Sequence, residues 1–283
     1  MIVALIDNGS LEPAAHRNLR AVAAALAERV GVPVHAISWK HSDRIPAADL
    51  GREPAWTLMP WVRAQFARGE HEFVFVPFFV SAQGAIGSAF ARDLKKLQNE
   101  GYDFAFTFTD GLAARGALAP IVADGVRKTL AEKNLSRPAV VVVDHGGPSA
   151  GSAALRDRTA GEVRALLGAD VGPLAAASLE GADYPHARPL LVDALAAPGF
   201  DRGDVVVAPL FLAPGRHAGP DGDVAQICRA ASARCHLSAL VGDHPAVVQS
   251  LAAALRETIA GWRSSHGDAP ASSIPLEAGG YVS

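Results

Sequence analysis

The sequence predicts an α/β protein of two similar lobes, each a parallel sheet with helices on its faces. Three observations carry that expectation. Apolar runs of strand length alternate with segments of helical periodicity along the chain. Two runs, Phe73 to Val80 and Val205 to Leu212, are apolar without a break, as strands buried on both faces tend to be. The order of elements then begins again near residue 139.

In the first half, Ile2 to Ile6 reads as a strand, Asp7-Asn8-Gly9-Ser10 as a turn, and Asn18 to Arg29 as a helix, with Leu19, Val22, Leu26 and Val30 at helical spacing. A strand at Val32 to Ser38, a loop rich in Pro and Asp, and a helix around Trp56 to Arg68 lead into the apolar run at Phe73. A Gly-rich loop at Gln83 to Ser88, a helix from about Phe90 to Gln98 and a strand at Phe104 to Phe108 follow.

The second half repeats the order. Ala139 to Val143 is a strand, Asp144-His145-Gly146-Gly147 its turn, and Thr159 to Leu167 a helix. Leu174 to Leu179 is the next strand, Pro189 to Ala196 a helix, and Val205 to Leu212 the central strand. The loop Ala213 to Gly222, a helix at Val224 to Ser232, a strand at His236 to Val241 and a helix at Ala246 to Trp262 complete it. Local matches support a duplication at about 135 residues: Asp7-Asn8-Gly9 with Asp144-His145-Gly146, Ser38 to Asp43 with Ser178 to Asp183, and Pro77-Phe78-Phe79-Val80 with Pro209-Leu210-Phe211-Leu212. The polar stretch Glu132 to Pro138 suits a linker, so the expected units are 1–133 and 138–263. The segment 264–283 lacks periodicity and is expected to be a flexible tail or surface arm.

Composition narrows the partners. The 283 residues are 49% hydrophobic and 19% charged with a formal net charge of -3, and no block of Lys or Arg occurs, which speaks against nucleic acid or an anionic membrane as partner. No apolar run reaches the roughly 18 to 20 residues of a membrane span, and a cytoplasmic protein acting on small molecules or ions is expected. Cys228 and Cys235 fall in a helical-looking stretch seven positions apart, too far for an unstrained bridge, and are expected to be reduced.

Ligands of an open parallel sheet bind beyond the carboxyl ends of its strands. In the second half those positions hold His145, Glu180, Arg216 with His217, and Asp243 with His244. Two imidazoles and a carboxylate suit divalent Fe, Co, Ni or Zn. The first half is an internal control, because its matching residues are Asn8, Lys40, about Ala85, and Gly111-Leu112-Ala113. The framework is kept while every ligand type is gone, which favours one site in the second half. His186, like His244 next to a Pro, is open to either a local or a site role, and His16, His35, His41, His71, His236 and His266 read as surface residues. No phosphate loop, Gly-x-Ser-x-Gly elbow, His-Glu-x-x-His or paired Cys-x-x-Cys motif occurs, so nucleotide chemistry has no support.

The His-Gly turn at His145, Glu180 after the second strand, Pro209 to His217 after the third and Gly242-Asp243-His244-Pro245 late in the chain resemble the class II tetrapyrrole chelatases, of the sirohydrochlorin cobaltochelatase and ferrochelatase type. The likeness covers about 140 to 263 well and the first half as a decayed copy. It implies two chelatase-like, flavodoxin-like lobes facing across a cleft, and metal held by His145 and His217. Glu180 would add a ligand or take a proton, and Arg216 and His244 would face the tetrapyrrole. The implied substrates are a tetrapyrrole and a divalent ion, cobalt favoured with iron or nickel as alternatives, without a nucleotide, in cobalamin or siroheme synthesis. With both lobes in one chain, a monomer with an internal pseudo-dimer is expected. A metal carrier or tetrapyrrole-binding protein using the same histidines without turnover is the alternative.

Overall fold

The structure, a computed structural model, describes residues 1–80 and 85–266. Its strands form two parallel sheets. The first contains β1 (Ile2–Asp7), β2 (Val34–Ser38), β3 (Trp56–Thr57), β4 (Glu72–Pro77) and β5 (Ala105–Phe108), in the order β3-β2-β1-β4-β5. The second contains β6 (Ala139–Gly146), β7 (Leu174–Glu180), β8 (Asp204–Pro209) and β9 (Arg234–Leu237), in the order β7-β6-β8-β9. Leaving β3 aside, the two orders are the same. Every pairing is parallel, so the loops after the strands of each sheet gather on one edge. The helices are α1 (Pro13–Val30), α2 (Leu58–Phe66), α3 (Ala85–Asn99), α4 (Leu118–Lys133), α5 (Ala150–Leu167), α6 (Leu191–Ala196), α7 (Asp223–Ala230) and α8 (Pro245–His266).

Strand alternation assigns each side chain to a layer, since successive residues point to opposite faces. Val3 and Leu5 of β1, Val140 and Val142 of β6 and Val206 of β8 enter one core shared by both sheets, with Leu19, Val126, Val163 and Leu255 from the helices between them. Ala4, Ile6, Phe73 and Phe75 turn outward to an aromatic cluster that includes Trp61, Phe90 and Phe106. Val141, Val143, Val205 and Val207 turn to a smaller aliphatic cluster under α6 and α7. Burial on both faces accounts for the unbroken apolar runs.

The helices between the sheets are exchanged. α4, last helix of the first half, packs on α5 and on β8 of the second sheet, while α8, last helix of the second half, packs on α1 and on β4 of the first.

Several elements differ from the sequence expectation. α4 has no counterpart in it, because its stripe begins beyond Gly116 and runs up to the linker. The residues Trp56–Thr57 make a short edge strand before α2 instead of opening the helix. α1 begins at Pro13, whose fixed φ suits a first helical turn, and α5 at Ala150 behind Ser149, whose side chain accepts the backbone N–H of Ser152. Residues 85–88, expected in a Gly-rich loop, have helical backbone, whereas Gln83 and Gly84 lie outside the described residues. Helix α8 runs to His266, past the expected start of the tail, and 267–283 also lie outside them. Cys228 sits on α7 and Cys235 on β9, so the two do not share a helix; their side chains are hydrogen-bond partners, which together with burial pushes the Cys228 thiol up. His16 is 1% exposed, and its two ring nitrogens have no partner. Desolvation by burial, with the Arg20 charge adding to it, lowers its pKa to about 4. His236 is held by Asp204 at 2.7 Å. No helix among the described residues is long and apolar enough to cross a membrane.

Candidate metal centre

His145, Glu180 and His217 meet at the carboxyl edge of the second sheet. One ligand atom from each lies within 4.8 Å of the others, and no other group of this kind occurs among the described residues. Strand pairing places the first two, because Gly146 of β6 is in register with Glu180 of β7. The strand continues through His145 instead of turning at Asp144, so the imidazole stands one residue before the last rung of the ladder. Gly146 makes this junction possible. Its φ is +82°, and a Cβ there would lie 2.0 Å from the Glu180 carbonyl oxygen.

His217 reaches the same point from the loop after β8. Its carbonyl accepts the Val224 N–H at 3.1 Å, and its ring Nδ1 lies 2.7 Å from Asp223 Oδ2, at the start of α7. A carboxylate only accepts, so Nδ1 is the donor here, and in the neutral ring this leaves Nε2 its lone pair. His145 follows the same logic, with Nδ1 3.2 Å from the Gly146 carbonyl oxygen. The two rings stand edge to face, centroids 4.7 Å apart at 89°. Glu180 Oε1 is 4.0 Å from His217 Nδ1. A tetrahedral ion with ligands near 2.1 Å would need them about 3.4 Å apart, so this wider triangle would have to close by side-chain rotation to hold one. His145 and Glu180 are exposed and His217 half-buried, so the group is open to solvent.

Asp223 is the residue the sequence reading passes over. An Asp at a helix start reads as a dipole partner, and only the fold of the Gly-rich loop brings it onto His217. Arg216 is 80% exposed and reaches the same carboxylate at 3.9 Å, so its guanidinium is close to the centre and open to solvent. His244 is not part of the group: its Nε2 meets Asp124 of α4 at 3.0 Å, and its Nδ1 accepts the Ala246 N–H at 3.1 Å at the start of α8. His186 closes the neighbouring turn, with Nε2 3.1 Å from the Gly147 carbonyl oxygen and its ring stacked on Tyr184. Behind the centre, Arg156, 2% exposed, ties Ser178 and the His186 carbonyl together, and Ser178 Oγ donates to Asp144 at 2.6 Å. Burial raises the Asp144 carboxyl above its usual range, and Ser178 and Arg156 oppose that rise.

A cavity of about 500 Å³ lies beside the centre. Its walls come from both halves: Ala14 and Asn18 of α1, Pro214 and Ala218 to Pro220 of the loop carrying His217, and Leu237 to Leu240. His145, Glu180 and His217 do not themselves line it; its nearest approach in the chain is Ala218, which follows His217.

No family model matches the chain, and no curated protein matches it in sequence. Solved structures match its fold over nearly the full length. SirB from Bacillus subtilis with Fe3+ is 14% identical with a TM-score of 0.62, covering 94% of this chain and 98% of that one. CbiX, described as the terminal enzyme for siroheme biosynthesis in denitrifying bacteria, is 19% identical with a TM-score of 0.63, covering 91% and 99%. The sirohydrochlorin chelatase SirB from Bacillus subtilis subspecies spizizenii in complex with cobalt is 15% identical with a TM-score of 0.59, covering 91% and 95%. The two-lobe fold implied by the resemblance is thereby borne out.

Proposed function

We propose that this chain is a sirohydrochlorin chelatase that inserts a divalent ion into the tetrapyrrole, using His145, Glu180 and His217 to hold the ion. The observation that carries the reading is the triangle of these three residues at the sheet edge, beside a cavity walled by both lobes. The fold likeness to SirB and CbiX structures, two of them carrying iron or cobalt, supports it.

Insertion exchanges one divalent ion for the two pyrrole N–H protons of the ring, so the donor site must hold the ion with few, releasable ligands. Two imidazole Nε2 atoms and one exposed carboxylate meet that need. As the ring nitrogens take the ion, Glu180 is freed to accept one pyrrole proton, and the imidazole that releases the ion can accept the other. The exposed guanidinium of Arg216 is suited to a carboxylate on the ring periphery. Nothing in these steps calls for a nucleotide. Cobalt(II) is the favoured ion, with iron(II) and nickel(II) acceptable to the same ligands, and the product would feed cobalamin or siroheme synthesis. In this reading units 1–133 and 138–263 act together as a monomer, the first contributing a wall and the second the ion.

The test is anaerobic insertion into sirohydrochlorin with cobalt(II) or iron(II) and no ATP, followed by absorbance. Turnover is expected with at least one ion, and His145→Ala or His217→Ala should reduce it by at least roughly a hundredfold with the circular dichroism spectrum unchanged. Tight metal binding without transfer to the ring would favour a carrier instead, and full activity in His217→Ala would remove the site.

A further inference from the structure

The two halves can be aligned through a backbone contact. Gly9 has φ +89°, and a Cβ on it would lie 1.7 Å from the Lys40 carbonyl oxygen and 3.2 Å from Ser38 Cβ. Gly146, with φ +82°, would meet Glu180 and Ser178 in the same way, at 2.0 and 2.8 Å. Lys40 therefore occupies the position of Glu180, and Asn8 that of His145. A cation has replaced the carboxylate ligand.

This lysine has a defined seat. Its Nζ stands 4.0 Å from the centroid of the Trp39 ring, a cation–π contact. Trp39 is in turn fixed by Nε1 donating to Asp93 at 2.8 Å and by packing on Phe90. Lys40 has no ion-pair partner among the described residues, and the next residue, His41, is held at φ 72°. The loop is tied to the β1 turn, and that turn approaches the loop that carries His217: Ser42 Oγ accepts the Ser10 N–H at 3.2 Å, and Ser10 Oγ lies 3.9 Å from where a Cβ on Gly215 would stand.

We infer that Lys40, seated on Trp39, binds a peripheral carboxylate of the tetrapyrrole from the first lobe, while Arg216 takes one from the second. The inference rests on the chelatase reading for its ligand. A cation at this position repels a metal ion and attracts an anion, so the loss of the first half's ligands converts one of two matching sites into a substrate anchor. Cations from both lobes would hold the ring across the cleft with its nitrogens over the His145 and His217 pair.

The experiment is a fluorescence titration of the full-length protein with metal-free sirohydrochlorin, alongside insertion kinetics. Lys40→Met should raise Kd and KM roughly fivefold, the scale of one exposed ion pair, with kcat within about twofold, while Lys40→Arg restores both. Lys133→Met, the same charge change at the far end of α4, should leave both unchanged. Unaltered Kd in Lys40→Met would overturn the anchor while leaving the chelatase reading intact if the parent protein inserts metal. A parent that binds the ring but inserts no ion, with Kd still sensitive to Lys40, would keep the anchor and overturn the chelatase. No binding of the ring by the parent overturns the anchor outright.

Discussion

Asp7 and Asp144 stand at matching ends of β1 and β6, each in register with a serine, Ser38 or Ser178, yet their surroundings differ. Asp144 has Ser178 as donor and Arg156 at 3.8 Å, whereas Asp7 Oδ1 is buried without a partner. Burial raises the Asp7 carboxyl from 3.8 to about 6, with hydrogen bonds from Ser38 and Gly9 only partly opposing it. For an acid whose pKa is raised by folding, the favourable contribution is complete below its unfolded pKa and is lost as pH rises through the folded value. The parent should therefore lose roughly 3 kcal/mol between about pH 4 and pH 6 on account of this residue. Asp7→Asn should remove that loss, so urea unfolding at pH 7.5 should find the variant more stable by about that amount and the two proteins level near pH 4. Equal stability of both proteins across the range would show that Asp7 is solvated. Sequence alone could find neither partner: Asp7 and Asp144 carry the same letter in the same motif, and the difference lies in Arg156, twelve residues on and reaching the site through the fold. The three ligand candidates were legible for another reason, since each lies at or beyond the carboxyl end of a strand, and strand ends can be read from apolar runs. Asp223 was not, because its meeting with His217 depends on the curl of a loop rich in Gly and Pro.

At the scale of elements, strands were the most legible, because runs buried on both faces leave an unbroken apolar signature. The ends of elements were less so. β6 outlasts its apolar run and carries Asp144, His145 and Gly146 in ladder register with β7, since parallel hydrogen bonding can continue where the side chains become polar. That continuation sets the spacing between His145 and Glu180. Gly146→Ala tests it: a Cβ 2.0 Å from the Glu180 carbonyl oxygen and 2.8 Å from Ser178 Cβ forces the two strand ends apart, in addition to the cost of an alanine at positive φ. A stability loss of about 1 to 3 kcal/mol is expected, together with weaker cobalt(II) binding by isothermal titration than in the parent. Gly147→Ala separates the two effects. That residue also has positive φ, at 118°, but nothing lies within 4 Å of its added methyl, so strain is present without separation of the ligands. If Gly147→Ala weakens metal binding as much as Gly146→Ala, the strand junction does not set the site.

For the whole molecule, the duplication could be read from repeated local motifs, while the exchange of helices could not. An apolar stripe states that a helix is covered but not which sheet covers it. α4 closes the first half in sequence and packs on the second in space. The exchange makes each sheet depend on a helix from the other half, and cross-half pairs add to it, with Arg115 bridging both carboxylate oxygens of Glu257 at 2.8 and 3.0 Å and His244 meeting Asp124. Exposed pairs of this kind contribute little individually; the shared core contributes more, since it draws fully buried residues from both sheets. Such a core should unfold as one unit. Differential scanning calorimetry of the full chain is expected to give a single transition, and Leu255→Ala on α8 should lower its midpoint by roughly 5 °C without splitting it, because the cavity opens in a layer common to both sheets. Two resolved transitions, with only one moved by Leu255→Ala, would mean that the halves are thermodynamically separate. The single-unit outcome also bears on the proposed substrate site: if the two lobes are locked through exchanged helices, a ring bound between Lys40 and Arg216 would have to fit a preformed gap instead of closing a hinge.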